Sequence, residues 1–281
     1  MLDRRLNAFR PDLAETSLAG QVDALRFVDG VPARIGVPKV TLRPKPDADS
    51  GIDTELLLGE PVMEFDRRDG WAWVKSGLDD YVGYVEETAL ALPRSAPNHW
   101  VTAPRTFLYP EPDMKRPAIE ALSMGSRIAV TGEAETRGTK YLLTDAGAII
   151  ARHVAPVDVP VSDDYVTVAS RFLESPYLWG GRSGFGLDCS GLVQLSMMMA
   201  GRNVLRDTDM QRASIGTEIG RNQLVRGDLV FWKGHVAVMT DDRTMIHASG
   251  FTMDVSHESL EDAIRRIEPM YGLPLVYRRP S

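Results

Sequence analysis

One cysteine and two histidines are the residues of this 281-residue chain whose types and spacing point to covalent chemistry. Cys189 is the only cysteine, and it stands between a glycine-rich loop and an apolar stretch at 192–199. Such a pattern is typical of a loop that leads into the first turn of a buried helix. Unpaired backbone N–H groups at a helix start favour thiolate over thiol and can bind a developing oxyanion, so the position suits a nucleophile.

The two histidines are predicted to lie on neighbouring strands of one hairpin. Two β-rich runs, 235–240 and 244–248, flank the dipeptide Asp241-Asp242, so His235 and His247 come opposite or diagonal to each other on one face. A thiol needs an imidazole that takes its proton and later returns one to the leaving amine, and that imidazole needs a third group that fixes its tautomer. The predicted roles are nucleophile for Cys189, general base and acid for His235, and orienting group for His247.

A lone cysteine also has a plain structural interpretation. In most chains of this kind it is a small buried hydrophobic residue, and a single histidine is an ordinary strand residue. A non-catalytic binding protein, with Cys189 as a structural thiol, is therefore the alternative from a different class. Selective alkylation of Cys189 near neutral pH would argue against it, because a buried inert thiol does not react.

Composition narrows the choice of partners. The net charge of -7 and the pI near 5.3, without a cluster of Lys and Arg, argue against nucleic acid and against an anionic membrane. One cysteine excludes a disulfide framework and a thiolate-rich metal site, and no metal or organic cofactor is implied. The N-terminus has charges but no apolar signal region, and no run reaches membrane-spanning length, so we expect a cytoplasmic protein.

The part of the chain before the cysteine contains an internal repeat. Residues 41–47 resemble residues 107–113, with a leucine, two prolines and an aspartate in register at a constant offset of 66 residues. The same offset relates Leu56, Gly59 and Val62 to Leu122, Gly125 and Ile128. The repeat predicts an N-terminal arm over 1–36 and two small antiparallel barrels over 37–93 and 99–158, followed by a domain over 160–281.

These segments resemble two known families. The first repeat, with Leu-x-Pro, Gly-Glu-x-Val, Trp-x-x-Val and Gly-Tyr-Val in order, looks like the bacterial SH3-like domains. Residues 160–281 resemble the NlpC/p60-type papain-like cysteine peptidases through five motifs in order. These motifs are Tyr177-Leu-Trp-Gly-Gly181, Asp188-Cys-Ser-Gly-Leu-Val193, Gly227-Asp-Leu-Val-Phe231, His235-Val-Ala-Val238 and Met245-Ile-His-Ala248. The resemblance implies an α+β fold, a papain-like (NlpC-type) catalytic domain preceded by two small SH3-like β-barrels, with the family's triad on Cys189, His235 and His247.

The whole arrangement resembles the γ-D-glutamyl-L-diamino acid endopeptidases of muropeptide recycling. That resemblance implies a small murein peptide as partner and hydrolysis of the bond between D-Glu and meso-diaminopimelate or Lys, releasing L-Ala-D-Glu when the L-Ala amine is free. Carried over by motif, the residues that hold this ammonium and its surroundings are Asp188, Ser190, Tyr81, Glu60, Asp207 and Thr208. Since a buried ammonium needs carboxylates and other acceptors around it, such a pocket rejects a capped N-terminus.

A wall-lytic peptidase or amidase of the same NlpC-type fold is the alternative within enzymes. In that case the SH3-like repeats would bind murein, and activity on acylated peptides and intact peptidoglycan would favour it. The sequence departs from the recycling relatives at one place, because Trp232-Lys233-Gly234 leads directly into His235. This short connection predicts a more open wall on the acceptor side of the site.

Overall fold

The computed structural model describes residues 2–92 and 95–280, and the chain divides into two compact units, Met1–Val157 and Asp158–Ser281. The predicted domain limit at residue 93 lies outside the described residues. Strands of the first unit are β1 (Ala14–Glu15), β2 (Phe27–Val28), β3 (Val31–Ile35), β4 (Lys39–Leu42), β5 (Thr54–Leu57), β6 (Pro61–Arg68), β7 (Trp71–Ser76), β8 (Val82–Glu86), β9 (Leu90–Ala91), β10 (His99–Val101), β11 (Arg105–Tyr109), β12 (Glu120–Ser123), β13 (Arg127–Ile128), β14 (Val130–Thr136), β15 (Thr139–Thr144), β16 (Gly147–Ile150) and β17 (Val154–Pro156). One-turn 3₁₀ helices lie at Thr16–Leu18, Glu87–Ala89 and Ala151–His153.

The internal repeat is visible strand by strand. The pairs β4–β5, β6–β7, β7–β8, β3–β6 and β3–β9 have antiparallel counterparts in β11–β12, β14–β15, β15–β16, β10–β13 and β10–β17. A 3₁₀ turn precedes the last strand of each copy. The constant sequence offset therefore corresponds to two copies of one strand order.

The arm before residue 37 takes part in the first of these copies. Strand β3 lies before the predicted start of the barrel, and it pairs with β6 on one side and β9 on the other. Further upstream, Ala8 and Leu13 are buried in one cluster with Phe65, Trp73 and Val82. Apolar burial thus fixes the arm on the first barrel, where the sequence alone suggested no role for it.

The described part of the second unit contains four α-helices together with antiparallel β-strands. Its elements are α1 (Tyr165–Ser170), β18 (Arg182–Ser183), β19 (Gly186–Leu187), α2 (Cys189–Met199), α3 (Thr208–Ser214), β20 (Thr217–Ile219), β21 (Leu229–Trp232), β22 (His235–Met239), β23 (Thr244–Ser249), β24 (Asp254–Ser259), α4 (Leu260–Tyr271) and β25 (Val276–Arg279), with a 3₁₀ turn at Arg221–Gln223. Six of the strands form one sheet in the order β20-β25-β21-β22-β23-β24. All eleven residues of α2 are buried, as predicted from apolar residues that lie on every side of the helix.

Helix α4 is amphipathic and covers part of this sheet. Its residues Leu260, Ala263, Ile264 and Ile267 form one buried cluster with side chains of β21, β22 and β23. Ser259 caps its first turn by accepting a hydrogen bond from the amide of Asp262 at 3.1 Å. Among the described residues, α4 is the longest helix, and none of the helices is long and apolar enough to cross a bilayer.

Candidate active site

Cys189 is the first residue of the buried helix α2, directly after its cap. The Asp188 carboxylate accepts a hydrogen bond from the amide of Gly191 at 2.7 Å, which is the geometry of an N-terminal cap. Gly191 is required by close packing, because a Cβ at this position would overlap with the backbone carbonyl of Gly181. The Asp-Cys-Ser-Gly sequence therefore sets the nucleophile at a helix start that is locked against the preceding loop.

A buried ion pair holds the cap in place. Arg206, with a side chain only 1% exposed, donates to both oxygens of Asp188 at 2.9 and 2.6 Å and to the Ser190 hydroxyl at 2.8 Å. Asp188 also accepts from the amide of Gly180 at 3.0 Å. Both carboxylate oxygens of Asp188 are thus engaged within the protein, and the charge of each partner is compensated.

The thiol of Cys189 lies against the beginning of strand β22. Its Sγ atom is 3.9 Å from the carbonyl oxygen of Gly234 and 3.8 Å from the hydroxyl of Thr208. Burial, and next the Asp188 carboxylate, raise the pKa of this thiol to about 11, although contacts with the amide of Val236 and with Thr208 act in the opposite direction. The raised pKa of the thiol is opposite to the expectation that the helix start favours a thiolate, and its largest cause is desolvation.

The two histidines lie on one face of the predicted hairpin. Strands β22 and β23 are antiparallel, with Val238 opposite Ile246, and this register places His235 diagonally across from His247. Nε2 of His235 and Nδ1 of His247 are 2.9 Å apart, so the side chains form a hydrogen bond. The hairpin prediction is confirmed by this pairing.

Two residues that the sequence interpretation missed extend the chain of hydrogen bonds. Nε2 of the buried His247 lies 3.2 Å from Oε2 of Glu258, which is on the next strand, β24. Arg266 of α4 donates to both oxygens of that carboxylate at 3.0 and 2.5 Å. Burial alone would raise the pKa of Glu258, but the hydrogen bonds from His247 and Arg266 lower it to about 2, so the carboxylate stays ionised.

The ionised carboxylate fixes the tautomers of both rings. Glu258 can only accept, so Nε2 of His247 carries the proton and its Nδ1 is an acceptor. Nδ1 of His247 accepts a hydrogen bond from the protonated Nε2 of His235. Nδ1 of His235 is then the unprotonated nitrogen. Burial lowers the pKa of His235 to about 3, and the electrostatic effects of His247 and then of Arg266 act in the same direction. The ring is therefore neutral at physiological pH. The group is therefore a neutral base with a defined basic atom, on the strand that follows Gly234, whose carbonyl oxygen lies 3.9 Å from the thiol of Cys189.

The six residues predicted to hold the substrate lie in different environments. In the second unit, Ser190 and Asp188 share Arg206, Thr208 contacts the sulfur, and Asp207 is half-buried directly before α3. In the first unit, Glu60 is buried and accepts a hydrogen bond from the amide of Leu57 at 3.1 Å. Tyr81, also in that unit, is buried next to the start of β8. In the described part of the chain, no group of three or more His, Cys, Asp or Glu side chains is arranged to hold a metal ion.

Comparison with known families assigns both parts of the chain. Residues 174–267 match the NlpC/P60 family, and residues 42–90 match the family described as bacterial dipeptidyl-peptidase Sh3 domain. A gamma-D-glutamyl-L-lysine dipeptidyl-peptidase of Bacillus cereus is 28% identical over 225 residues, which are 70% of this chain and 67% of the relative. The probable endopeptidase NlpC of Escherichia coli is 34% identical over 113 residues, which are 35% of this chain and 73% of the relative.

A solved structure has the same fold over most of the chain. An NlpC/P60 family protein from Bacillus cereus superposes with a TM-score of 0.73 over 89% of this chain and 99% of its own, at 23% sequence identity. The α+β fold predicted from the motifs, an NlpC-type domain preceded by SH3-like barrels, is confirmed.

Proposed function

We propose, because this chain belongs to the NlpC/P60 family of cysteine peptidases, that it hydrolyses the amide between the γ-carboxyl of D-Glu and the diamino acid of small murein peptides. The observation that carries the proposal is the hydrogen-bonded series His235, His247 and Glu258, which begins one residue after the Gly234 carbonyl that lies 3.9 Å from the thiol of Cys189. The similarity to gamma-D-glutamyl-L-lysine dipeptidyl-peptidases over most of the chain supports this choice of bond.

In the proposed mechanism, Sγ of Cys189 attacks the γ-carbonyl carbon while its proton passes to Nδ1 of His235. Backbone N–H groups at the start of α2 bind the resulting oxyanion. The imidazolium then gives its proton to the departing amine as the C–N bond breaks, which leaves a thioester on Cys189. Water, deprotonated by His235, hydrolyses the thioester, and the sulfur recovers its proton.

Within the second unit, Asp188, Ser190, Asp207 and Thr208 are proposed to hold the free L-Ala ammonium. Tyr81 and Glu60 of the first unit stay predictions from their motifs. An ammonium taken out of water is stable only among carboxylates and other acceptors, so an acylated amine would leave these groups unmatched. Peptides of the intact wall have this amine acylated by the sugar. The proposed role is therefore recycling of released peptides in the cytoplasm.

A comparison of two tripeptides tests the proposal. L-Ala-γ-D-Glu-diaminopimelate and its N-acetylated form are incubated with the protein, and release of the diamino acid is followed by chromatography. We expect hydrolysis of the free-amine peptide at least 10³-fold faster, because mismatched buried polar groups discriminate by roughly 10⁴. Cys189→Ala, with an unchanged circular dichroism spectrum, should abolish hydrolysis of the free-amine peptide.

Two controls separate the alternatives. Asp207→Asn should reduce turnover of the free-amine peptide far more than that of the acetylated one, and an equal loss on both would remove the proposed ammonium pocket. Efficient cleavage of acetylated peptide or of purified sacculi would instead support a wall-lytic enzyme. Turnover by Cys189→Ala at the wild-type rate would refute the mechanism.

A further inference from the structure

A cleft of about 450 Å³ in the second unit adjoins the proposed general base. One wall is apolar and unusually exposed for its size, with Trp179 71%, Phe251 69%, Met270 66% and Tyr271 58% accessible. His235 is also one of the residues that line the cleft. Exposed aromatic and methionine side chains gathered in one concave site are typical of a ligand pocket rather than of an ordinary surface.

The position of the cleft identifies which half of a substrate it can take. His235 must protonate the departing amine, so that amine lies within hydrogen-bond distance of the imidazole. The acyl half lies at Cys189 and the start of α2, and Asp188, Ser190, Asp207 and Thr208 are not among the residues that line the cleft. The leaving diamino acid therefore projects into this cleft.

The charges in the cleft are all of one sign. Lys233 and Arg266 line it, and none of the described lining residues is an aspartate or a glutamate. Arg266 is compensated by Glu258, whereas Lys233 is exposed and makes no ion pair with the described residues. Lys233 is also held close to the base, because Trp232 pairs with His235 across a two-residue turn formed by Lys233 and Gly234.

We infer that this cleft is the acceptor subsite and that it selects a diamino acid whose side chain ends in a carboxylate, as in diaminopimelate, over lysine. The inference rests on the proposed function and names its leaving group. The methylene stem of the side chain packs on Trp179 and Phe251, and the terminal carboxylate pairs with Lys233. Diaminopimelate carries a carboxylate beside its distal ammonium, so its side chain has no net charge and can direct that carboxylate to Lys233. A lysine side chain ends in an ammonium alone, and the cleft has no carboxylate to receive it.

Three tripeptides test the inference with the full-length protein. Their acceptor residues are meso-diaminopimelate, meso-diaminopimelate amidated at the distal carboxyl, and L-Lys. We expect kcat/KM to be about tenfold higher for the first than for the other two. Lys233→Met should bring the three values to within about twofold, and Lys233→Glu should reverse the order so that the lysine peptide is preferred.

The reversal is an informative outcome, because a misfolded variant cannot gain a preference. Arg243→Met is the matched control: it removes one exposed cation from the same unit outside the cleft and should keep the wild-type order. Equal rates with all three peptides in the wild type would overturn the inference and leave the proposed function intact. Lys233 variants that slow the hydrolysis of all three peptides equally would also overturn the inference. In that case Lys233 would bind the α-carboxylate that the three peptides share. Absence of hydrolysis of any peptide by the folded protein would refute the proposed function and the inference together.

Discussion

Glu258 offers the sharpest test of how the histidines work, because it touches neither sulfur nor substrate in the proposed mechanism. Glu258→Gln keeps the size of the side chain and removes its charge. Two hydrogen bonds, of 3.2 and 2.9 Å, and one imidazole ring separate the carboxylate from His235. At the resulting distance of about 8 Å, a unit charge stabilises an imidazolium by about 2 kcal/mol at an effective dielectric constant near 20.

That energy corresponds to a loss of about 30-fold in kcat. Since the imidazolium forms only after the sulfur loses its proton, KM should change little. The carboxylate raises the pKa of His235, whereas Arg266 lowers it. Its removal therefore leaves the guanidinium unopposed and shifts the acid limb of kcat/KM to lower pH. The double variant Glu258→Gln/Arg266→Gln should recover part of the kcat that is lost in Glu258→Gln.

The measurement is steady-state hydrolysis of the free-amine tripeptide as a function of pH. It is combined with ¹⁵N spectra of the imidazoles, which report the tautomers directly. Glu261→Gln, an identical change at an exposed position in the first turn of α4, is the matched control and should alter kcat by less than twofold. The reasoning fails if Glu258→Gln retains wild-type kcat with both ring tautomers unchanged, or if its only effect is a lower melting temperature.

Two further outcomes follow from buried groups near the sulfur. Because the pKa of Cys189 is raised to about 11, fewer than about one thiol in a thousand is ionised at pH 7.5, and its alkylation rate by iodoacetamide should rise about tenfold per pH unit to pH 10. A rate that levels off near pH 9.5, as expected for the urea-unfolded chain with a thiol pKa of about 8.5, would contradict this. Arg206→Met should cost about 3–5 kcal/mol in urea unfolding, because it leaves the Asp188 carboxylate buried and uncompensated. Adding Asp188→Asn should recover part of that loss, and additive losses would show that the pair is not coupled.

Local patterns were sufficient to predict the elements that carry the thiol and the imidazoles. A glycine-rich loop before a mainly apolar run is a pattern of a few adjacent residues. This pattern predicts the buried helix that begins at Cys189. A hairpin likewise depends on two neighbouring strands and their turn, so the diagonal relation of His235 and His247 could be read from spacing. Helix ends are harder to predict from local sequence, because Ser162, Asp163 and Asp164 are all acceptable capping residues and the structure uses Asp164 to cap α1.

Glu258 and Arg206 were missed because their contacts depend on register and packing across longer separations. Glu258 reaches His247 only once β24 pairs with β23, with Met245 opposite Glu258. One signal was available: a neutral imidazole that orients another needs an acceptor of its own, and this requirement points to a carboxylate on an adjacent strand. Arg206 lies 18 residues from Asp188, and nothing in that spacing indicates that the two side chains pair.

The burial of the site decides which state of the sulfur does the chemistry. A thiol with a raised pKa keeps its proton in the free protein, and an imidazole with a lowered pKa stays neutral. In the proposed mechanism, transfer of that proton therefore accompanies attack, and the imidazolium exists only while the tetrahedral intermediate does. The Glu258 charge, transmitted through His247, then acts on the transition state and hardly on the bound substrate. For this reason the effect of Glu258 on His235 should be detected in kcat and in the tautomers of the histidines, and not in the affinity for the peptide.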